Sequence, residues 1–179
     1  VSLNGLIIFF RGSWMIRRLT NKYIADDPTK FSSGFDLNDI DVIEKDGYYS
    51  FSSFGMSVTQ VITRDSRNLP EFPTSGSRSI WTSTISGSLL GGNQDYHKHQ
   101  LDFNWFTPLH NKFTISQIFK MGILEKIRDE DGERSIIPPS ARFVMGGTGI
   151  PYGEMLRGYT ENRVGPFGST RGGNVMIKY

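Results

Sequence analysis

The sequence predicts an all-β fold: part of an antiparallel up-and-down barrel that crosses a membrane with its strands. Three observations predict it. Apolar and polar residues alternate with a period of two over long stretches, and helical periodicity is hard to find. These stretches run on the order of 12–18 residues, against ~5–6 for a globular strand and ~9–11 for the part of a tilted strand inside a bilayer. Their polar faces carry Ser, Thr, Gly and Asn, while their apolar faces carry Phe, Trp, Met and Ile. That is the pattern of a wall with lipid outside and a wet interior. An antiparallel β-sandwich, or a large soluble barrel with one wet face, shares the alternation and stays open at this point.

The elements follow in order. Residues 5–19 open on the apolar block Leu6–Phe10 and continue through Arg11, Trp14 and Ile16, a strand whose inward face is unclear. Residues 20–46 are polar and turn-rich and read as a loop, with room for a short helix near 36–44. The strand 47–65 sets Phe54, Met56, Val58 and Ile62 against Ser53, Gly55, Ser57, Thr59 and Thr63. A turn-forming stretch from Arg64 to Arg78 follows. The strand 77–90 sets Trp81, Ile85 and Leu89 against Thr82, Thr84, Ser86 and Ser88. The strand 96–107 sets Leu101, Phe103, Trp105 and Thr107 against Lys98, Gln100, Asp102 and Asn104. The strand 112–124 sets Phe113, Ile115, Phe119, Met121 and Ile123 against Thr114, Ser116, Lys120 and Gly122. Residues 125–172 form a long loop, and 173–179 begin another strand. Tyr48, Trp81, Tyr96 and Trp105 are expected in interfacial aromatic girdles. No second domain is expected within 1–179.

Composition excludes several chemistries. The chain has 179 residues, 20 Lys+Arg against 18 Asp+Glu, and no Cys. Thiolate metal sites and cysteine nucleophiles are therefore out. Near-neutral charge without a basic block argues against nucleic acid as a partner. Mean hydropathy is −0.34, and the longest apolar run is far short of the ~20 residues of a spanning helix. Nucleophile-elbow and triad patterns are absent, so no enzyme activity is expected. His97 and His99 share a strand face, yet two ligands without a third make a poor metal site. Asp129, Glu130, Asp131 and Glu133 lack calcium-loop spacing and read as a solvated tip. Gly146-Gly-Thr-Gly149 is followed by no Lys-Ser/Thr, so it is no phosphate loop. No cofactor is expected.

The long loop is charged at its start and then glycine-rich, but Phe143, Tyr152, Met155, Leu156, Tyr159 and Phe167 are too many large apolar groups for a purely solvated tail. Within it stand, in order, Gly146-Gly147, Leu156-Arg157-Gly158-Tyr159, Val164-Gly165-Pro166 and Gly172-Gly173-Asn174. The ordered set resembles the sixth extracellular loop of the BamA family, the central barrel of the outer-membrane protein assembly machine. Upstream, Phe72-Pro-Thr-Ser-Gly-Ser-Arg78 resembles a periplasmic turn of that family. The resemblance spans about residues 48–179. It departs at Ile150-Pro151-Tyr152-Gly153, inserted between the Gly-Gly pair and the tetrad, which leaves the superfamily branch open.

The resemblance implies a barrel of about sixteen strands, about six of them here, integral to the bacterial outer membrane. It implies an internal piece of a longer protein that holds neither seam strand. It also implies that nascent outer-membrane proteins are substrates, with accessory assembly lipoproteins and outer-membrane lipid or lipopolysaccharide as partners. Leu156, Arg157, Gly158 and Tyr159 would dock the loop inside the barrel, with Gly146, Gly147, Gly165, Pro166, Gly172 and Gly173 supporting it. The family's Arg is pinned to acidic residues on later strands; within this chain Asp102 and Glu161 are the candidate lumen partners. A planar guanidinium suits such a site because it binds carboxylate bidentately and stays charged when partly desolvated. A related secretion or translocation barrel, a passive porin and a soluble β-sandwich binding protein are the alternatives.

Overall fold

The computed structural model describes residues 9–87, 90–110, 112–127, 135–150, 153–165 and 172–179. The strands are β1 (Phe9–Ala25), β2 (Ile43–Lys45), β3 (Tyr48–Asp65), β4 (Gly76–Ser86), β5 (Tyr96–His110), β6 (Phe113–Lys126) and β7 (Val175–Lys178). They form one antiparallel sheet in the order β1-β3-β4-β5-β6-β7, with β2 paired to the start of β3. β1 and β7 are its two edges, so the sheet is open within this chain. The connections 26–47, 87–95 and 127–174 lie at one end, and 66–75 and 111–112 at the other.

Residues paired across strands share a face, so the register sorts the side chains. Ile62, Trp81, Leu101, Met121 and Ile177 form one continuous cross-strand row, and Ile16, Val58 and Ile85 form another. Trp14, Ile16, Trp81, Ile85, Ile123, Val175 and Ile177 on this face are exposed. The opposite face pairs Thr59 with Thr84, their hydroxyls 2.9 Å apart, and continues through Lys98 to Leu124. One face is therefore apolar and uncovered, the other polar and partly covered by the long loop. The first strand's inward face, unclear from sequence, carries Ser13 and Arg17, with Trp14 and Ile16 outward.

Several elements differ from the sequence expectation. β1 runs on to Ala25, because Tyr23 and Ala25 pack under the following connection. That connection holds two 3-10 turns instead of a helix near 36–44. One, Pro28–Ser33, is capped by Asp27, which accepts from the Thr29 amide; the other, Leu37–Asp39, is capped by Asp36. The extra strand β2 folds back through Asp46-Gly47, both at positive φ (56° and 78°), the geometry an Asp-Gly hairpin turn favours. β4 stops at Ser86, where Gly87 turns at φ 71°; Ser88 and Leu89 lie outside the described residues. Tyr96 is not a girdle residue. It sits buried on the covered face with Leu124, Ile137, Ala141, Phe143 and Met176. A second apolar cluster, Phe31, Phe35, Ile40, Phe51 and Ile136, closes the end of β1 and β3.

Candidate functional site: the loop on the polar face

The loop enters the polar face at Ser135, whose hydroxyl accepts from the Asp95 N–H at 3.2 Å and donates to the Asp95 carbonyl at 2.5 Å, just before β5 begins. Ile136 then donates its N–H to the Asn93 carbonyl at 2.8 Å. Asn93 is itself fixed to β3, accepting from the Phe54 N–H at 2.8 Å and donating to the Ser52 carbonyl at 2.9 Å. Pro138 is extended and leads into the 3-10 turn Pro139–Ala141, after which the chain descends to Phe143.

Phe143 is the packing centre. Its backbone pairs in both directions with Gly173, at 2.9 and 2.7 Å, so the loop's entry and exit are laced together. Its ring lies on Gly122 of β6, where any Cβ would come within 2.4 Å of the ring. Only glycine permits that approach. The Lys98 ammonium sits 4.4 Å from the ring centroid, a cation–π contact.

Residues 143–147 form the loop's central line. Met145 bridges to Glu154 on one side and to Val164 on the other, and Gly147 bridges to Leu156. Gly147 also takes φ 51°, and a side chain there would strike the Glu161 carboxylate at 2.2 Å. Glu161 accepts from the Thr148 N–H (2.8 Å) and hydroxyl (3.0 Å) and from the N–H groups of Gly149 (2.7 Å) and Ile150 (3.1 Å). The Thr148 N–H first, then its hydroxyl and the other two amides, hold this carboxyl below its ordinary value.

The tetrad stands at the turn that follows. Leu156 donates its N–H to the Gly147 carbonyl and is half-buried, whereas Arg157, Gly158 and Tyr159 are exposed. Gly158 has φ 84° with open space around it. Among the described residues, Arg157 meets no hydrogen-bonding or ionic partner. Neither candidate partner reaches it: Glu161 is occupied by the Thr148–Ile150 amides, and Asp102 lies on the polar face of β5 opposite Lys120. Gly146 and Gly172 take φ 131° and 80°, and Gly173 pairs with Phe143. Gly165 follows the Val164 bridge; Pro166 lies outside the described residues.

His97 and His99 sit on the outward face with ring centroids 5.3 Å apart, and His97 Nε2 is 3.7 Å from Glu125. The acidic stretch Asp129–Glu133 lies outside the described residues. The sequence placed Gly122 and Lys120 on the polar face of their strand without giving them a role in the site, and did not single out Lys178 or Glu154. A glycine amid the apolar–polar alternation of β6 was the available signal for the first of them.

An open antiparallel sheet with one apolar and one polar face, and a long loop laid on the polar face, has the arrangement of a section of barrel wall with a loop on its inner side. Residues 16–179 match the Omp85 superfamily domain. The chain belongs to the Omp85 superfamily, whose members are outer-membrane proteins of protein insertion and secretion. No curated protein matches the sequence.

Proposed function

We propose that the chain is wall and inward loop of a BamA-like barrel, which folds and inserts nascent β-barrel proteins into the bacterial outer membrane. The observation that carries this reading is the loop itself. Residues 143–147, 154–156 and 162–164 knit into a preformed unit on the polar face, with the Leu156–Tyr159 tetrad presented at its exposed turn. A unit so built is a docking piece. On this reading the work is non-covalent: client strands add to an exposed sheet edge by backbone pairing. Accessory lipoproteins and outer-membrane lipid are the partners this reading entails.

In the full-length protein, Arg157→Ala is expected to lower the docked population of the loop about tenfold, the scale of one lost charge-assisted contact. The checks are protease resistance of the loop, heat-modifiable mobility of the barrel and cell growth. Wild-type behaviour in all three would sink the assembly role of Arg157. The inserted residues Ile150–Gly153 leave the superfamily branch open, so a secretion barrel of the same superfamily is the second reading. Depletion separates the two: loss of many outer-membrane proteins supports assembly, and loss of a single exported client supports secretion.

A further inference from the structure

A second charged attachment joins the loop to the wall, away from the tetrad. Asp102 of β5, Lys120 of β6 and Lys178 of β7 form one cross-strand row on the polar face. Glu154 comes down onto this row from the loop. Lys120 Nζ donates to both carboxylate oxygens, at 2.9 and 3.0 Å. Lys178 Nζ donates to Glu154 Oε2 at 3.4 Å and to the Met155 carbonyl at 2.7 Å. The three side chains are only 23–25% exposed, so the contacts are less screened than surface ion pairs.

The carboxylate is also held from behind. Glu154 donates its N–H to the Val144 carbonyl at 2.8 Å, and its own carbonyl accepts from the Gly146 N–H at 3.1 Å. The rigid centre of the loop therefore carries the charge that the two lysines grip. With Asp102 beside them the four charges sum to zero, which lets the cluster persist when partly desolvated.

We propose that Glu154 is the positioning residue that fastens the loop to β6 and β7, a site of attachment distinct from Arg157. Its consequence for activity rests on the assembly reading above. The test uses the full-length protein, compared as wild type, Glu154→Gln, Glu154→Lys and the charge exchange Glu154→Lys with Lys120→Glu, which keeps the cluster neutral. Proteinase K cleavage within residues 143–164 is timed, and heat-modifiable mobility verifies that each barrel is folded.

Glu154→Gln is expected to be cleaved about tenfold faster than wild type, as loss of charged hydrogen bonds dictates. Glu154→Lys is expected to be faster still, and the exchange to recover much of the protection. Should Glu154→Lys fail to fold, Glu154→Gln alone decides. Wild-type cleavage of Glu154→Gln, or an exchange variant no better protected than Glu154→Lys, overturns the proposal, whatever the activity. A loosened loop with undiminished assembly leaves the attachment standing and sinks the assembly role of the docked loop instead.

Discussion

Glu161 closes the tip of the loop by a device that side-chain chemistry alone conceals. Besides the Thr148 hydroxyl its partners are three backbone N–H groups, aimed at one point because Gly147 and Gly149 take positive φ on either side of Thr148. From the sequence a carboxylate near Arg157 reads as its ionic partner, since a concave set of amides is written in dihedral angles and leaves no residue signature. The structure gives it a different task with a pH signature. The folded value is depressed from the ordinary 4.5. Its stabilisation is therefore fully present above that ordinary value and is lost as pH falls from there through the lower folded value. The protection factors of the Thr148, Gly149 and Ile150 amides, exchange rates divided out by the intrinsic pH dependence of an unstructured amide, are expected to be high and flat near neutrality and to fall below about pH 4.5. In Glu161→Gln the same amides should be weakly protected at every pH. A pH-independent wild-type profile would count against the clamp.

The strands were legible where alternation was strict. β3, β4, β5 and β6 each begin within a residue of the expected start, because period-two patterning reports the face directly. What stayed hidden depended on tertiary partners. Tyr96 has the residue type of a girdle aromatic but faces inward by its parity in β5, and only the loop above explains its burial. The β2–β3 hairpin carried a readable Asp-Gly signal within a stretch whose polar composition pointed to loop. Phe143 stood among the loop's apolar residues, though nothing in the sequence paired it with Gly122. That pairing predicts an asymmetry. Phe143→Ala empties the space over Gly122 and is expected to cost about 3 kcal/mol, in the range for buried aromatic truncations. The midpoint of heat-modifiable unfolding of the full-length protein measures it, with Phe72→Ala, on the exposed connection between β3 and β4, as the near-neutral control.

For the whole sheet, the division into two faces sets how charge is tolerated. Leu101 and Gln100 are neighbours in β5, one in the outward apolar row and the other on the polar face. Leu101→Arg is expected to destabilise the folded barrel in bilayers by about 2–4 kcal/mol, and Gln100→Arg by about 1 kcal/mol or less. Denaturant titration of the full-length protein in lipid vesicles distinguishes them, and equal costs would contradict a lipid-facing outer surface. The register made this division explicit, and the sequence alternation had already implied it for β3, β4, β5 and β6. The loop adds something alternation cannot encode. Ile136 packs with Phe31, Phe35 and Phe51 at the end of β1 and β3, while its neighbour Ile137 packs with Leu124, Phe143 and Met176 over β5, β6 and β7. Two consecutive residues thus act as a tie-rod between distant staves of the wall. Spreading or narrowing those staves would tear one cluster or the other, so this flank is a chord of fixed length. Any breathing of the barrel's bore is displaced to staves the tie-rod does not span.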